Sequence, residues 1–163
     1  MSDEESFMLD QFIETWQINN RINLYLLEAI APEALGGVSA SGGRSVALQF
    51  AHLHNVRLMW VETAAPELLV PKIPTKTKAD KEALTKALLH DALVQSGESI
   101  EHLLRQGFKS GRIKGFKPHP AAFLGYLLSH EGYHRGEIGI ILTQAGTPLD
   151  DKISYGLWEW GVR

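Results

Sequence analysis

The 163-residue sequence predicts an all-α fold, a four-helix bundle, on three observations. Apolar residues recur at helical spacing through four long segments. Gly, Pro and Lys cluster in the breaks between them. No two stretches alternate in the way that paired strands require. Four long segments of this kind bury their apolar faces most simply against one another. A single domain over residues 1–163 is expected, long enough for a sizeable core, with no internal repeat and no low-complexity segment.

The first helix is expected over 6–31, with Leu9, Phe12, Ile13, Trp16, Leu27 and Ile30 as its stripe. Asn20 and Asn23 interrupt that stripe and require hydrogen-bond partners. Five Gly and Pro residues over 32–43 end it. The second helix is expected over 45–64. Leu48, His52, Val56 and Met59 share one face there, so the spacing turns His52 toward the interior and His54, about 160° around the wheel, away from it. A Pro/Lys-rich connection over 66–77 leads to a third helix over 77–105. It opens on the capping-box string Thr77-Lys78-Ala79-Asp80, and Leu84, Leu88, Ala92, Gln95, Ser99 and His102 mark one side of it.

The loop over 106–118 mixes Lys109, Arg112, Lys114 and Lys117 with Phe108 and Phe116. A solvated loop is expected, because a net charge of −3 exerts no strong pull on nucleic acid or anionic membrane. The fourth helix is expected over 120–146, with Pro120 at its first position and Pro148 beyond its end. It is apolar almost all round, which argues for burial on several sides. Gly125, Gly132, Gly136 and Gly139 gather on the side opposite His130 and His134. A helix approaching closely there is expected, either from the same chain or from a dimer partner. The aromatic tail over 153–160 reads as a short helix or turn.

Cysteine is absent, so neither disulfides nor thiolate ligands arise, and any transition metal is left to His, Asp, Glu or water. The N-terminal run Met1-Ser2-Asp3-Glu4-Glu5 has no apolar core of the secretory kind. No uncharged apolar run reaches the length of a membrane span. A cytoplasmic protein with no membrane and no nucleic-acid partner is the expectation.

His130-Glu131-Gly132-Tyr133-His134 carries the chemistry. Side chains at i and i+4 of a helix lie with Cβ atoms about 5–6 Å apart, which lets two imidazoles share an ion at about 2.0–2.1 Å each. The string also matches the H-E-x-x-H zinc-protease signature. In that reading Glu131 is the catalytic general base and Glu159 the third ligand. Glu137 stands against it, at the place of the glycine in the longer metzincin pattern, as do the helix-weakening Gly132 and the lack of an edge strand to align a peptide. His52 supplies a third inward imidazole instead. Three imidazoles from two helices, with open coordination positions, make a catalytic type of metal site. His90, His102 and His119 read as surface or loop residues. Asn20 is the candidate partner for a ligand's second ring nitrogen, and Arg135 is expected to pair with a carboxylate across the bundle.

The segment His130-Glu131-Gly132-Tyr133-His134-Arg135-Gly136-Glu137-Ile138 resembles the H-x-x-x-H-R-G-Q-I segment of DinB-like (DinB/YfiT) helical bundles. Ala51-His52 with Trp60, Trp16 with Asn20, Phe116-Lys117-Pro118 and Leu157-Trp158-Glu159-Trp160 are similar as well, so the likeness spans nearly the whole chain. It implies a divalent metal (Zn, Ni or Fe) held by His52, His130 and His134. It further implies a metal-dependent transferase that acts on a small molecule and uses a low-molecular-weight thiol of the bacillithiol or mycothiol kind, with hydrolase chemistry as the alternative. Glu137 departs from the family's glutamine, which leaves the ligand set intact and alters a neighbouring group. A non-catalytic, metal-stabilised interaction protein is the remaining reading.

Overall fold

Six α-helices occur in the computed structural model, which describes residues 3–163. They are α1 (Asp3–Ala29), α2 (Val46–Ala64), α3 (Lys78–Glu82), α4 (Lys86–Ser110), α5 (Pro120–Gln144) and α6 (Asp151–Gly156). Met1 and Ser2, the start of the acidic N-terminal run, lie outside the described residues. The four long helices form the bundle, and among the described residues the only β-type pairing is an isolated bridge between Ile113 and Phe116. Among the described residues no helix is long and apolar enough to cross a membrane.

Local chemistry sets the helix starts. Ser45 accepts from the Leu48 amide, His119 Nδ1 from Ala122 and Asp150 from Ile153. Each such cap stabilises its helix by about 1 kcal/mol. The capping box at Thr77 and Asp80 is present, but the helix it opens is only α3. The chain breaks after Glu82, and Thr85 caps a new helix through the Leu88 amide. The single helix expected over 77–105 is therefore two. The restart also rotates the buried face of α4. Leu89, Leu93, Ser96, Ile100 and Leu103 point inward, whereas Leu88 and His102, expected on that face, are exposed.

The core is divided lengthwise. One apolar cluster joins Leu26, Leu27, Phe50, Leu89, Leu93, Ile138 and Ile141. The other joins Ile13, Trp16, Val61, Ile100, Leu104, Phe123 and Leu127. In α1 and α5 the second cluster comes first along the chain; in α2 and α4 the order is reversed. Hence α1 and α5 run parallel to each other and antiparallel to α2 and α4. The connection from α2 to α4 is a long crossover over 65–85 that returns along the bundle and leaves Ile73 in the first cluster. Parallel α2 and α4, which pack more extensively than any other pair, require a connection of this length.

The close helix approach occurs on α4, at Gly97, where any Cβ would collide with the Asn20 side chain and where Trp16 Nε1 donates to the backbone oxygen at 2.9 Å. On α5 no atom lies within 4 Å of a Cβ built at Gly125, Gly136 or Gly139, and Gly132 faces only Arg135 of its own helix. The expectation that a helix of the same chain covers this seam is overturned: the face is open. The tail forms α6, and Gly156 packs against Tyr25, but Trp158 is 81% exposed. The segment expected as a loop over 106–118 begins within α4, which runs to Ser110, and its aromatics turn inward. Phe108 stacks on Phe12 at 4.7 Å and Phe116 packs edge-on to Trp60 at 5.6 Å, which leaves the basic residues to solvent.

Candidate metal centre

Between the two apolar clusters, all four long helices contribute polar residues at one level. α2 brings His52 and α5 brings His130 and His134, and one ring nitrogen from each lies within 4.8 Å of the others. Nε2 of His130 and Nε2 of His134 are 3.2 Å apart. Two nitrogens bound tetrahedrally to one ion at about 2.05 Å stand about 3.3 Å apart, so this pair fits a shared ion. His134 Nδ1 donates to Gln49 Oε1 at 2.7 Å. That bond places the His134 proton on Nδ1 and leaves the Nε2 lone pair facing the other imidazoles, as in metal-ligating histidines generally. Glu137 Oε2 also lies 2.8 Å from His134 Nδ1, but its direction is not that of a hydrogen bond and the oxygen is otherwise unpartnered. The donor set therefore suits a divalent transition metal.

Burial lowers the pKa of all three imidazoles. His52 is brought down to about 4, first by desolvation, then by the Arg44 charge and the neighbouring histidines, against an opposing pull from Glu137. At His134 desolvation outweighs the Glu137 carboxylate. Neutral imidazole is the form that binds a metal, so the environment favours the ligating state.

The DinB family model matches residues 1–153. The chain belongs to the DinB family. No curated protein and no solved structure gives a match.

In this DinB-family chain the face of α2 differs from the sequence expectation. His52 is half-buried and opens to a cleft, while His54 is 1% exposed. His54 Nδ1 and Nε2 lie 2.8 Å from the Ala92 oxygen and 3.0 Å from the Pro71 oxygen, so the imidazole sits between α4 and the crossover and its N–H donates to one of these oxygens. The reason is that α2 is packed on both flanks, by α4 and by α5. Its buried arc is wide, and the apolar stripe through Leu48, Val56 and Met59 is the more solvent-facing side.

Glu131 is 1% exposed and turns away from the histidines. Its Oε1 accepts from Arg57 Nε at 2.7 Å. Its Oε2 accepts from Arg57 Nη2 at 2.9 Å and from the Asn19 and Asn23 amides at 2.7 Å each. Arg57 Nη1 donates to the Leu93 oxygen and to Ser96 Oγ, and the guanidinium lies over Trp16 at 4.8 Å. Arg135 Nη1 donates to the Asn19 and Asn23 side-chain oxygens, not to a carboxylate. Desolvation pushes the Glu131 carboxyl upward; the Arg57 charge and hydrogen bonds, with those of Asn23 and the Arg135 charge, outweigh it and hold the pKa below the usual value. Asn20, the expected histidine partner, instead donates to the Leu93 oxygen. Gln49 takes that role. Nothing in the sequence distinguished Gln49, because one glutamine in a helix has no pattern of its own. Glu159, the zincin ligand, pairs with Arg163 at 3.1 Å in the tail.

Proposed function

We propose that this protein is a metal-dependent enzyme of the DinB type in which His52, His130 and His134 hold one divalent ion, with zinc, nickel or iron as the candidates. The observation that carries this is the group of three converging imidazole nitrogens, with the His134 tautomer held by Gln49. Such an ion, with positions left open, lowers the pKa of a bound water or thiol or polarises a carbonyl. A thiol-using transferase fits a site reached from solvent on the His52 side; a hydrolase is the second chemistry. His52, His130 and His134 orient the ion, and Gln49 fixes one imidazole. Glu131 is assigned to the frame: its carboxylate oxygens already accept four hydrogen bonds and none comes from the histidines. The zincin reading requires that carboxylate free to take a proton from water. The test is metal analysis of freshly purified protein, followed by assay of the loaded protein with electrophiles and small thiols. Loaded protein inert toward both would favour the interaction-protein reading.

The pH dependence follows from the lowered histidine pKa values. A free imidazole competes for protons at about 6.5, whereas His52 does so at about 4. Metal is expected to stay bound down to about pH 5.5 in the presence of a competing chelator and to leave between about 5 and 4, with proton uptake. The metal-free fold loses stability as pH falls from about 6.5 through about 4. Between the unfolded value and the lower folded value, the unfolded chain binds protons that the folded site excludes. Dialysis against chelator across this range checks it; full retention at pH 4 counts against an all-histidine site.

We further propose that α5 is the dimer contact. Ala122, Gly125, Ser129, Gly132, Gly136, Gly139 and Thr143 recur at alternating spacings of three and four, the pattern of a helix that packs along a second helix. Tyr133 and Ile140 flank the stripe at 65% and 57% exposure. Gly136→Leu is expected to give a monomer by light scattering with metal content unchanged. A wild type that is monomeric at micromolar concentration overturns the assignment.

A further inference from the structure

We propose that the cleft beside His52 binds an anionic group, a carboxylate or phosphate carried by the molecule that acts at the histidine centre, and that Arg44 and Lys81 grip it. The cleft has a volume of about 520 Å³, and its wall includes Arg44, His52, Asn55, Thr75 and Lys81 but no carboxylate. It is formed where the crossover and α3 pass the start of α2. The placement relative to the metal rests on the reading above; the anion site itself does not.

The polar groups of this wall fall into two classes. The Asn55 amide is consumed by the crossover backbone, giving to the Ile73 oxygen and accepting from the Ile73 amide, each at 2.9 Å. The Arg44 and Lys81 side chains make no hydrogen bond or ion pair with the described residues. The acids flanking Lys81 in the chain are both engaged. Asp80 accepts from the Lys76 and Thr77 amides, and Glu82 lies 3.6 Å from Lys78. Two unneutralised cations thus line one concavity. Like charges brought together cost free energy unless an anion joins them. Arg44 reaches the centre electrically as well, since its charge acts on His52, His130 and His134. It also borders the neighbouring cleft that contains Gln49 and Glu137. A substrate lying with its reacting atom among the imidazoles and its anionic end between Arg44 and Lys81 satisfies both groups of residues. The guanidinium suits a bidentate oxyanion and the ammonium acts as a point charge.

Two titrations test this. In the first, metal-free protein is titrated with inorganic phosphate and, separately, with succinate, at ionic strength held constant with sodium chloride. The backbone amide signals of Gly43, Arg44 and Thr75 are followed. Saturable shifts are expected, and the tighter of the two probes identifies the anion class. Exposed charge pairs are each worth a factor of about two to five, so Arg44→Gln and Lys81→Gln should each weaken binding by that factor and the double variant by about 10-fold. Lys109→Gln, in the 3–163 structure at the opposite end of α4 from Lys86, should leave it unchanged. In the second titration, cobalt-loaded protein is offered 3-mercaptopropionate or the neutral 3-mercaptopropan-1-ol, and the thiolate-to-cobalt absorption is read. Wild type should prefer the acid by about 10-fold, and the double variant should lose that preference without changing its affinity for the alcohol. Cobalt uptake with no saturable shift and no preference overturns the anion site and leaves the metal centre standing. Saturable, variant-sensitive shifts without cobalt uptake do the reverse. A preference that survives in the double variant also overturns the proposal.

Discussion

His52→Ala, His130→Ala and His134→Ala are each expected to lower metal affinity by more than about 100-fold, because even the loss of a partner behind a ligand costs roughly 10–100-fold. Each variant should be purified nearly metal-free while it keeps wild-type helicity by circular dichroism. The three positions are half-buried or buried around a cleft rather than within the apolar clusters, so truncation there leaves the core packing in place. Two controls separate this from a general loss of structure. Glu159→Ala should retain the metal, since Glu159 pairs only with Arg163. His54→Ala should retain it too, but at a cost of about 1–3 kcal/mol in stability, because it removes a buried imidazole and the hydrogen bond it donates to a neighbouring backbone oxygen. If His52→Ala binds metal like wild type and Glu159→Ala does not, the three-histidine assignment is wrong and the zincin arrangement replaces it.

The second large effect concerns the frame. Arg57→Ala or Glu131→Ala leaves a charge buried without its counter-ion, which costs about 3–5 kcal/mol. For a chain of this size that lowers Tm by roughly 10–15 °C. The double change Arg57→Met with Glu131→Leu is expected to be much milder than either single change, because the uncompensated charge is gone. Thermal unfolding followed by circular dichroism reads both. If Glu131→Gln folded with wild-type stability yet lost all turnover, Glu131 would be a proton carrier rather than part of the frame. The pair also has a positional consequence. Glu131 is bonded to α1 and α2 and adjoins His130 in the chain, so it sets the rotation of α5 that brings His130 and His134 round to His52.

The comparison of sequence with structure divides along physical lines. Helix existence was legible in the apolar periodicity, in Pro120 and in the Thr77 cap, because these are local signals that act within one or two turns. The His130 and His134 pair was legible for the same reason: i, i+4 spacing fixes two side chains on one helix with no tertiary information. The family resemblance added His52, and the match over residues 1–153 agrees with it. Local signals also misled. The capping box was read correctly, but nothing local announced that α3 would end at Glu82 and that α4 would start with a rotated face.

What only the tertiary structure decided is which side of each helix the neighbours cover. α2 and α5 are apolar nearly all round, so their sequences do not choose a buried arc; packing of α2 against both α4 and α5 buried His54 and Arg57 and left His52 at a cleft. The same packing selected Asn19 and Asn23 over Asn20, set Gln49 against His134, and enclosed Glu131 with Arg57 across 74 residues of chain. A hydrogen bond between residues that far apart leaves no periodic trace in either segment. The sequence by itself determined the helices, the histidine pair and the absence of thiolate ligands from the chain. The direction of each polar side chain, and with it the division between the converging histidines and the buried frame, was decided by how the four helices close on one another.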